Sequence, residues 1–473
     1  MGDYTEPFRM CWMPETGSKT DAPSVTMRVE ESLNGPHFLR TLFRLLDESD
    51  VRYCVLHSWE RLPEEVPSDL DMAVHPQDEP KLSSVFRGLW RKGFTPFQCF
   101  NYFTNANYLV FFWFEDVTLK TAAIDIIFEH RRSGLIVPTS EELLANRRRH
   151  GTFWVSSPET QFAYLLAKQV WKGKASPIQA LRLQCLVEQL GKEKSERIAG
   201  RIFRNHWKHF VIASCTNGSL NEVLKKVRSQ PWRTSLLRDP LRLARYLVDD
   251  GRRILRRWFQ PTGIMVSVLG PDGVGKSTLI ERIGQAFDRG FRRRRLFHWR
   301  PELLAPQRET ATIPNPHASP LRGPLTSMLY LGAFLADYWV GYLFVIRPLL
   351  VRSTLVVFDR YFHDLLVDPR RYRYGGPKWL PQFFSRLVPL PDVVLVLDAG
   401  EQVIFARKGE VRTAEVRRQR EAYRRLNFGC TPTVFVNTEQ SLDRTLYDST
   451  RALSEIMAQR FDQRRNEWTA VAT

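Results

Sequence analysis

The chain has 473 residues, of which 43% are hydrophobic and 12% aromatic; these values are those of a globular protein with two or three domains. A net charge of +18 favours anionic partners, namely nucleotides, phosphorylated sugars, nucleic acid or acidic lipid headgroups. The six cysteines lack the spacing of a disulfide framework or a zinc site, and the first residues lack a signal peptide, so we expect a cytoplasmic protein with reduced thiols.

The N-terminal part of the chain divides into an arm and an α/β region. Residues 1–36 mix Pro, Gly, Ser, Thr and Glu with little periodicity, which predicts a flexible arm. Residues 37–155 combine a helical apolar repeat with short apolar runs, which predicts an α/β domain. The expected helix covers residues 38–46, and the expected strands cover 51–56, 71–74, 108–114 and 123–128.

Three carboxylates accompany these strands. Asp69 and Asp71 are two residues apart at the start of a strand, so both side chains point to one side. Asp125 lies inside an apolar run, where a buried carboxylate without a partner is costly and requires a metal ion or a cation. Together the three acids could hold the two Mg²⁺ ions of a nucleotidyl transfer. The alternative is that Asp69 and Asp71 cap a turn and Asp125 is an isolated strand acid.

This acidic pattern resembles that of the polymerase-beta-like nucleotidyltransferases. That family places Gly-Ser about ten residues ahead of an Asp-x-Asp pair, whereas this chain has His57-Ser58 at that place. The resemblance implies that Lys168 and Lys172, on a following helix, contact a triphosphate. It also implies a domain that either transfers nucleotidyl groups or senses nucleotides.

Residues 156–260 are expected to be a helical extension that ends in a basic linker. Between residues 225 and 260, many Lys and Arg residues alternate with apolar residues at helix-like intervals. We favour a linker helix that packs its apolar side on its own domain and exposes its basic side. The alternative is an interfacial helix on the anionic inner face of the cell membrane.

From residue 261 to residue 473 strands alternate with helices, which predicts a doubly wound parallel sheet with a ligand crevice at the carboxyl ends of its strands. The expected strands cover residues 264–269, 296–299, 354–358, 393–397 and 433–436. Residues 325–350 are long and apolar enough to cross a bilayer. Because Asp337 lies at their centre, we instead favour a buried helix with Asp337 facing a substrate cavity.

The loop that follows the first of these strands has the spacing of a phosphate-binding loop, a Gly, four residues and then Gly-Lys-Ser. Its glycines let backbone N–H groups converge on phosphate oxygens at a helix N-terminus. The lysine would reach the β- and γ-phosphates of ATP, and the serine hydroxyl would bind Mg²⁺. The expected ATP-binding residues are Gly270, Asp272, Gly273, Val274, Gly275, Lys276, Ser277 and Thr278.

Other charged residues follow the later strands of this half. Asp359 ends one strand and could hold Mg²⁺, and Arg360 beside it could grip a phosphate; Asp398, which ends the next strand, is the rival magnesium ligand. Basic residues of a later helical region could close over the transferring phosphoryl group as a lid. Among them we favour Arg407 and Arg418 as functional.

The loop, the Asp-Arg-Tyr triplet at residues 359–361 and the later Arg407-Lys408 resemble the thymidylate kinase superfamily over residues 262–460. The resemblance implies that Asp272 and Arg360 contact the phosphoryl acceptor and that Arg407 is the catalytic arginine. Residues 298–301 and 362–374 depart from the thymine pocket of that family. They resemble a divergent branch linked to surface-polysaccharide biosynthesis, so the acceptor is dTMP or another small phosphorylated molecule.

The leading hypothesis is therefore an ATP- and Mg²⁺-dependent kinase fused to a nucleotidyltransferase-like domain. The alternative is a regulatory or membrane-associated scaffold protein that binds ATP without transferring its phosphate. Nucleic acid ranks last among the partners, because the basic residues cluster around phosphate sites and one linker without interleaved stacking aromatic residues. A homodimer is among the expected assemblies.

Overall fold

The computed structural model describes residues 33–471 except 68, 104–105, 133, 204–205, 305–319 and 409–412. Within these residues the chain is an α/β protein with a mixed β-sheet in its N-terminal half and a parallel sheet in its C-terminal half. The general α/β class predicted from the sequence is confirmed. The predicted arm lies almost entirely outside the described residues, and its last residues, Gly35 and Pro36, already belong to the first helix.

The N-terminal half is built on a mixed sheet. Its strands are β1 (Tyr53–Val55), β2 (Leu70–Val74), β3 (Thr95–Phe103), β4 (Ala106–Glu115), β5 (Thr118–Ile127), β6 (Arg131–Arg132), β7 (Leu135–Ile136), β8 (Arg148–His150) and β9 (Phe153–Val155). The order in the main sheet is β3-β4-β5-β2-β1-β9-β8, and β6 pairs only with β7. The strands predicted in this half correspond to β1, β2, β4 and β5, whereas β3 is absent from the sequence-based prediction.

Three short helices accompany this sheet, α1 (Gly35–Glu48), α2 (Leu82–Arg91) and α3 (Ser140–Leu144), together with a 3₁₀ turn at Pro76–Lys81. The Asn34 side chain caps α1 by accepting a hydrogen bond from the His37 N–H at 2.9 Å. The apolar face of α1 packs into the core of the sheet through Phe38 and Leu42. This helix confirms the prediction for residues 38–46.

The parallel pairing of β2 with β5 is the feature of this sheet that matters most for function. Its register places Asp71 directly beside Asp125. On the other side of β5, Tyr108 of β4 is the partner of Asp125. Two carboxylates from strands far apart in sequence are therefore neighbours.

A helical region follows the first sheet, as the sequence predicts. Its helices are α4 (Pro158–Lys172), α5 (Pro177–Leu190), α6 (Lys192–Ala199), α7 (Trp207–Thr216), α8 (Leu220–Val227), α9 (Gln230–Arg238) and α10 (Pro240–Phe259). Ser157 and Ser176 cap α4 and α5 through their hydroxyl groups. Most of α4 is buried between the sheet and the other helices, so its polar residues face the interior of the first half.

The preferred interpretation of the basic linker is wrong in one respect. We expected α10 to pack its apolar side on its own domain, but only Leu243 and Tyr246 of this helix are buried. Its other large apolar residues are exposed: Leu241, Leu247, Val248, Ile254, Leu255, Trp258 and Phe259.

The C-terminal half is built on a parallel sheet. Its strands are β10 (Ile264–Leu269), β11 (Arg293–His298), β12 (Thr354–Asp359), β13 (Val393–Asp398) and β14 (Thr433–Asn437), in the order β11-β12-β10-β13-β14. Its helices are α11 (Lys276–Ala286), α12 (Pro324–Gly341), α13 (Arg347–Val351), α14 (Asp364–Val367), α15 (Trp379–Ser385), α16 (Glu401–Lys408), α17 (Thr413–Arg424) and α18 (Leu442–Val471). The expected strands of this half are confirmed, with ends that differ by at most three residues.

Helices cover both faces of the parallel sheet. On β10, Val266 and Val268 pack in one core cluster with α11 and α18, while Met265 and Leu269 pack in another with α12, α13 and α17. This alternation follows from the two-residue period of a strand that is buried on both sides. The carboxyl ends of all five strands therefore meet at one edge, beyond the helices.

The two halves share a hydrophobic core. Phe97 of β3 packs against Phe287, which follows α11, with ring centroids 6.0 Å apart. Gln98 of the same strand donates a hydrogen bond to the Thr262 carbonyl at 2.7 Å. Helix α18 packs along β3 and β5, so the last helix of the second half covers one face of the first sheet.

A π-helical turn at Tyr342–Ile346 joins α12 to α13, so that Pro324–Val351 is one helical rod. Among the described residues it is long and apolar enough to cross a membrane, and 28% of its most apolar window is buried. Asp337 is fully buried, but most of the helical rod around it is exposed, so the prediction of a buried helix is wrong. The Asp337 carboxylate accepts hydrogen bonds from Arg300 and from the backbone N–H groups of residues 302–304.

Candidate functional site

The loop at residues 270–275 joins β10 to the N-terminus of α11 and has a backbone that only glycine accommodates. Gly270, Gly273 and Gly275 have φ angles of +144°, +85° and +101°, in the left-handed region. A Cβ at Gly270 would also lie 2.7 Å from the Leu397 carbonyl oxygen. The loop is therefore held against β13 with its backbone turned into the first turn of α11, where N–H groups and the helix dipole favour an anion.

Lys276 lies buried inside this loop. Its Nζ donates hydrogen bonds to the carbonyl oxygens of Gly270 and Pro271 at 2.9 and 2.8 Å. Burial, together with the nearby Arg360 guanidinium, lowers the pKa of the Lys276 ammonium to about 8. The lysine is thus a poorly solvated cation held at the loop, while the side chains of Ser277 and Thr278 are exposed in the first turn of α11.

Asp359 lies next to the loop, because β12 pairs with β10 and the register sets Asp359 beside Val268. Its Oδ1 is buried and accepts no hydrogen bond from the described residues, and its Oδ2 lies 3.5 Å from His298 Nδ1. Despite burial, the charges of Lys276 and His298 hold the pKa of this carboxyl below its usual range. A buried carboxylate oxygen without a partner fits a Mg²⁺ ligand, in line with the assignment of Asp359 and Ser277.

The rival carboxylate is placed differently. Asp398 receives a hydrogen bond from Arg420 Nε at 2.6 Å and another from Arg424, both on α17. Its charge is therefore compensated by two arginines. Of the two strand-end acids, Asp359 is the one with a carboxylate oxygen available to a ligand.

A network of charged side chains lies on the other side of the loop. Asp272 accepts hydrogen bonds from Arg360 and, at 2.6 Å, from Arg371. Arg360 also donates to Asp364 at 2.7 Å, and its own backbone has a φ of +73°, a strained value for a non-glycine residue. The arginine charges outweigh burial and lower the pKa of the Asp272 carboxyl well below its usual range.

Aromatic side chains enclose this network. The hydroxyl groups of Tyr372 and Tyr423 donate to Asp364, and the Tyr372 ring stacks on Trp299 with centroids 4.3 Å apart. Trp299 and Tyr372 come from the two segments that depart from the thymine pocket, residues 298–301 and 362–374. The structure brings both departures together beside Asp272, where the resemblance places the phosphoryl acceptor.

The two arginines predicted to form a lid make hydrogen bonds with other parts of the C-terminal half. Arg407 donates to the Thr438 carbonyl at 2.9 Å, at the end of β14 on the edge of the sheet. Arg418 pairs with Glu415 and donates to the Val367 carbonyl at 3.0 Å. Between them, residues 409–412 lie outside the described part of the chain, as does the Lys408 side chain. The roles assigned to Arg407 and Arg418 stay predictions.

The acids of the first half form a second charged site. Asp71 is buried and accepts hydrogen bonds from Lys168 Nζ at 2.7 Å and from the Tyr164 hydroxyl at 2.8 Å. His57 Nε2 lies 2.6 Å from the same carboxylate. Burial alone would raise the pKa of Asp71, but the charges of Lys168 and His57 outweigh it and lower the pKa well below the usual range.

Asp125, the neighbour of Asp71, has no such cation in hydrogen-bonding contact. Its Oδ1 is buried and accepts no hydrogen bond from the described residues. Burial and the charge of Asp71 raise the pKa of Asp125 to about 7. This orphaned oxygen fits a metal ligand, whereas Asp71 is already engaged; among the described residues, no three His, Cys, Asp or Glu side chains are arranged as a metal site.

A cavity of about 280 Å³ opens beside Asp69 at the junction of the two halves. Its walls come from the first sheet and from the segment between α11 and β11: Asp69, Phe100, Tyr108, Asp288, Arg289, Phe291 and Arg292. Burial, together with the repulsion of the nearby Arg292, lowers the pKa of the Arg132 guanidinium to about 10. Arg292 therefore lies beside the acidic site of the first half.

Several contact residues were missed by reasoning from the sequence. Arg371 and Tyr164 reach their sites through tertiary contacts that no spacing marks, whereas Asp364 follows its partner Arg360 by four residues. The polar and aromatic composition of residues 362–374 was the available signal for Arg371 and Asp364. Lys168, by contrast, was assigned to this site in advance, although as a triphosphate contact.

The sequence matches no model of a known protein family, and no curated protein matches it at a significant level.

Proposed function

We propose that the C-terminal half transfers the γ-phosphoryl group of ATP to a small phosphorylated acceptor. The observation that carries the proposal is the juxtaposition of Lys276 in a glycine-constrained loop with Asp359, whose Oδ1 has no described partner, on the adjoining strand. In phosphoryl transfer the protein mainly positions the phosphates and compensates developing charge. Mg²⁺, when bound, would supply further charge compensation through Asp359 and Ser277.

The acceptor side supports a phosphorylated substrate. Arg360 and Arg371 converge on Asp272, so two guanidinium groups lie within reach of one anion beside the loop. A substrate phosphate could replace part of the Asp272 contact, while Trp299 and Tyr372 offer a flat aromatic surface to its organic part. The acceptor is dTMP or another small phosphorylated molecule, and surface-polysaccharide metabolism is the setting that the resemblance implies.

ADP release tests this proposal directly. The purified protein receives Mg-ATP with a panel of nucleoside monophosphates and sugar phosphates, beside Lys276→Ala and the control Arg282→Ala, an exposed residue of the same helix. One acceptor should stimulate ADP release in wild type and in the control but not in Lys276→Ala. Tight ATP binding together with ADP release that no acceptor stimulates would instead favour an ATP-binding regulatory protein.

A second activity, nucleotidyl transfer, is favoured for the N-terminal half by the orphaned Oδ1 of Asp125 beside Asp71. The adjoining cavity combines carboxylates, arginines and aromatic rings, which are the groups that bind metal, phosphates and a base. Incorporation of label from α-labelled nucleoside triphosphates should be lost in Asp125→Asn and kept in Lys276→Ala. Equal incorporation in Asp125→Asn and wild type would contradict this assignment.

A further inference from the structure

Helix α10 exposes an apolar stripe along its whole length. Leu241, Val248 and Leu255 follow one another at intervals of seven residues, so they lie close to one line, and Phe259 lies five full turns beyond Leu241 on the same face. Leu255 is 59% exposed and Phe259 72% exposed, values that a soluble surface rarely shows for a row of large apolar residues.

Basic residues border this stripe. Arg245 and Arg252, both exposed, are four residues beyond Leu241 and Val248, which turns them about 40° around the helix onto one edge of the stripe. On the opposite side of the helix the basic residues have protein partners. Arg257, for example, donates to Thr262 and Ser353 at 2.9 and 2.7 Å. The helix thus directs one set of arginines inward and leaves another beside its exposed apolar residues.

A second apolar stripe lies on α12. Leu325 and Leu329, one turn apart, are 78% and 76% exposed, and the stripe continues through Ala336 and Leu343. The opposite side of the helix carries its buried residues, among them Tyr338. Because that side packs on the parallel sheet, α12 lies along the surface of the protein.

The two stripes meet at the C-terminal end of α10. Arg347 of α13 donates hydrogen bonds to the backbone carbonyls of Trp258 and, at 3.1 Å, Phe259. Leu343 and Phe344 precede Arg347 by four and three residues, which places them on the same side of their helix. The exposed apolar residues at this junction are Trp258, Phe259, Leu343 and Phe344. The apolar surface therefore continues from α10 onto the helical rod Pro324–Val351.

We propose that α10 and α12 form a docking surface for an anionic phospholipid bilayer. The apolar stripes would enter the headgroup region, and Arg245 and Arg252 would contact lipid phosphates at its edge. The charge favours a bilayer over a second copy of the chain. A bilayer offers lipid phosphates to these arginines, whereas a two-fold pair of antiparallel α10 helices would bring the arginine-bordered edges of both copies together, so that like charges would face each other.

Flotation with phospholipid vesicles tests this surface. The full chain should bind vesicles of phosphatidylcholine mixed with phosphatidylglycerol and bind pure phosphatidylcholine vesicles far more weakly, with affinity that falls as salt rises. Arg245→Gln with Arg252→Gln should lower the partition coefficient roughly thirtyfold, since each arginine contributes about a factor of five. The matched control is Arg87→Gln with Arg91→Gln, two exposed arginines of α2, which should bind like wild type.

Leu255→Glu with Phe259→Glu tests the apolar part of the surface. Both side chains are exposed, so the variant should unfold at the wild-type temperature while losing most of its vesicle binding. Sedimentation velocity without lipid tests the alternative occupant of this surface, which is a second copy of the chain. Failure of wild type to bind anionic vesicles, or a wild-type dimer that this variant converts to a monomer, would overturn the proposal.

Discussion

The two charged sites of the molecule contain similar groups, but they differ in how far each charge is paired with an opposite charge. Each places a strand carboxylate close to a lysine, and all four side chains are at least largely shielded from solvent. In the first half Lys168 bonds directly to Asp71, and the two charges cancel. In the second half Lys276 donates hydrogen bonds to neutral carbonyl oxygens of its own loop, with Asp272 Oδ1 at 3.7 Å from its Nζ, and Oδ1 of Asp359 has no described partner.

This difference shows which charged groups are able to bind a ligand. A lysine held by carbonyl dipoles keeps its charge available to a phosphate, and a carboxylate with a bare oxygen can accept a metal ion. A buried ion pair, in contrast, already contains its own counter-charge and chiefly resists disruption. In the first half Asp125, beside that pair, keeps a buried oxygen that accepts no hydrogen bond from the described residues.

The largest expected effect is on catalysis at Asp359. Asp359→Asn should lower kcat for acceptor-stimulated ADP release on the order of a thousandfold, because a neutral amide cannot hold the cation that compensates the phosphates. The matched change Asp398→Asn should leave kcat within about threefold, since that acid is bound by Arg420 and Arg424. Similar losses in both variants would contradict the assignment of the metal ligand to Asp359.

The next effect concerns stability at the buried pair. Asp71→Asn should lower the free energy of unfolding by about 3 kcal/mol, because Lys168 is left as an uncompensated buried charge. Adding Lys168→Met should restore most of that loss. Glu64→Gln is the control, since it breaks an exposed ion pair with Arg40 of the same 2.7 Å length and should cost less than about 1 kcal/mol. Urea unfolding measures all of these values, and equal losses for Asp71→Asn and Glu64→Gln would show that burial is unimportant.

A smaller effect is expected on substrate binding at the arginine network. Arg371→Gln should raise KM for the acceptor roughly tenfold or more and leave KM for ATP unchanged, because one guanidinium beside Asp272 is lost. Arg370→Gln changes an exposed neighbour and should leave both constants alone. A rise in KM for ATP instead would place Arg371 on the nucleotide side of the loop.

The smallest effect is the pH dependence of stability at Asp125. In the unfolded chain this carboxyl ionises near its ordinary pKa of about 4, but in the folded protein its pKa is about 7. The folded protein therefore holds an extra proton between these pH values, and its stability falls as the pH rises through that window. Asp125→Asn removes this loss and should be more stable than wild type above pH ~7.

Urea midpoints measured across this pH range check the sign. The two proteins should converge below about pH 4, where the carboxyl is protonated in both states. A wild type that instead gains stability over Asp125→Asn as the pH rises would mean that a cation already compensates this carboxylate.

The three inner strands of the parallel sheet, β10, β12 and β13, could be predicted closely, because strands buried on both faces are unbroken apolar runs. Residues 264–269, for example, are β10 to the residue. Strand β3 was missed, since Pro96, Gln98 and Asn101 interrupt its apolar pattern and its partners lie in β4 and in the other half. A strand whose apolar residues face a remote part of the chain carries no local signal of that packing.

The environment of α10 was wrongly predicted for a related reason. Its apolar and basic residues alternate at helical spacing, which predicts the helix correctly. The same pattern describes a helix that packs on its own protein and one that faces lipid. Only the position of neighbouring elements decides which side is covered.

The sequence by itself determined the glycine loop, its lysine and the strand-end acids, because backbone conformation and strand ends are set by residue types close together in the chain. Tertiary structure alone decided which acids are compensated. Asp71 and Lys168 are 97 residues apart, and Asp272 and Arg371 are 99 apart. Whether a buried charge meets a counter-charge depends on which distant side chains the packing brings within about 3 Å, and sequence spacing does not contain that distance.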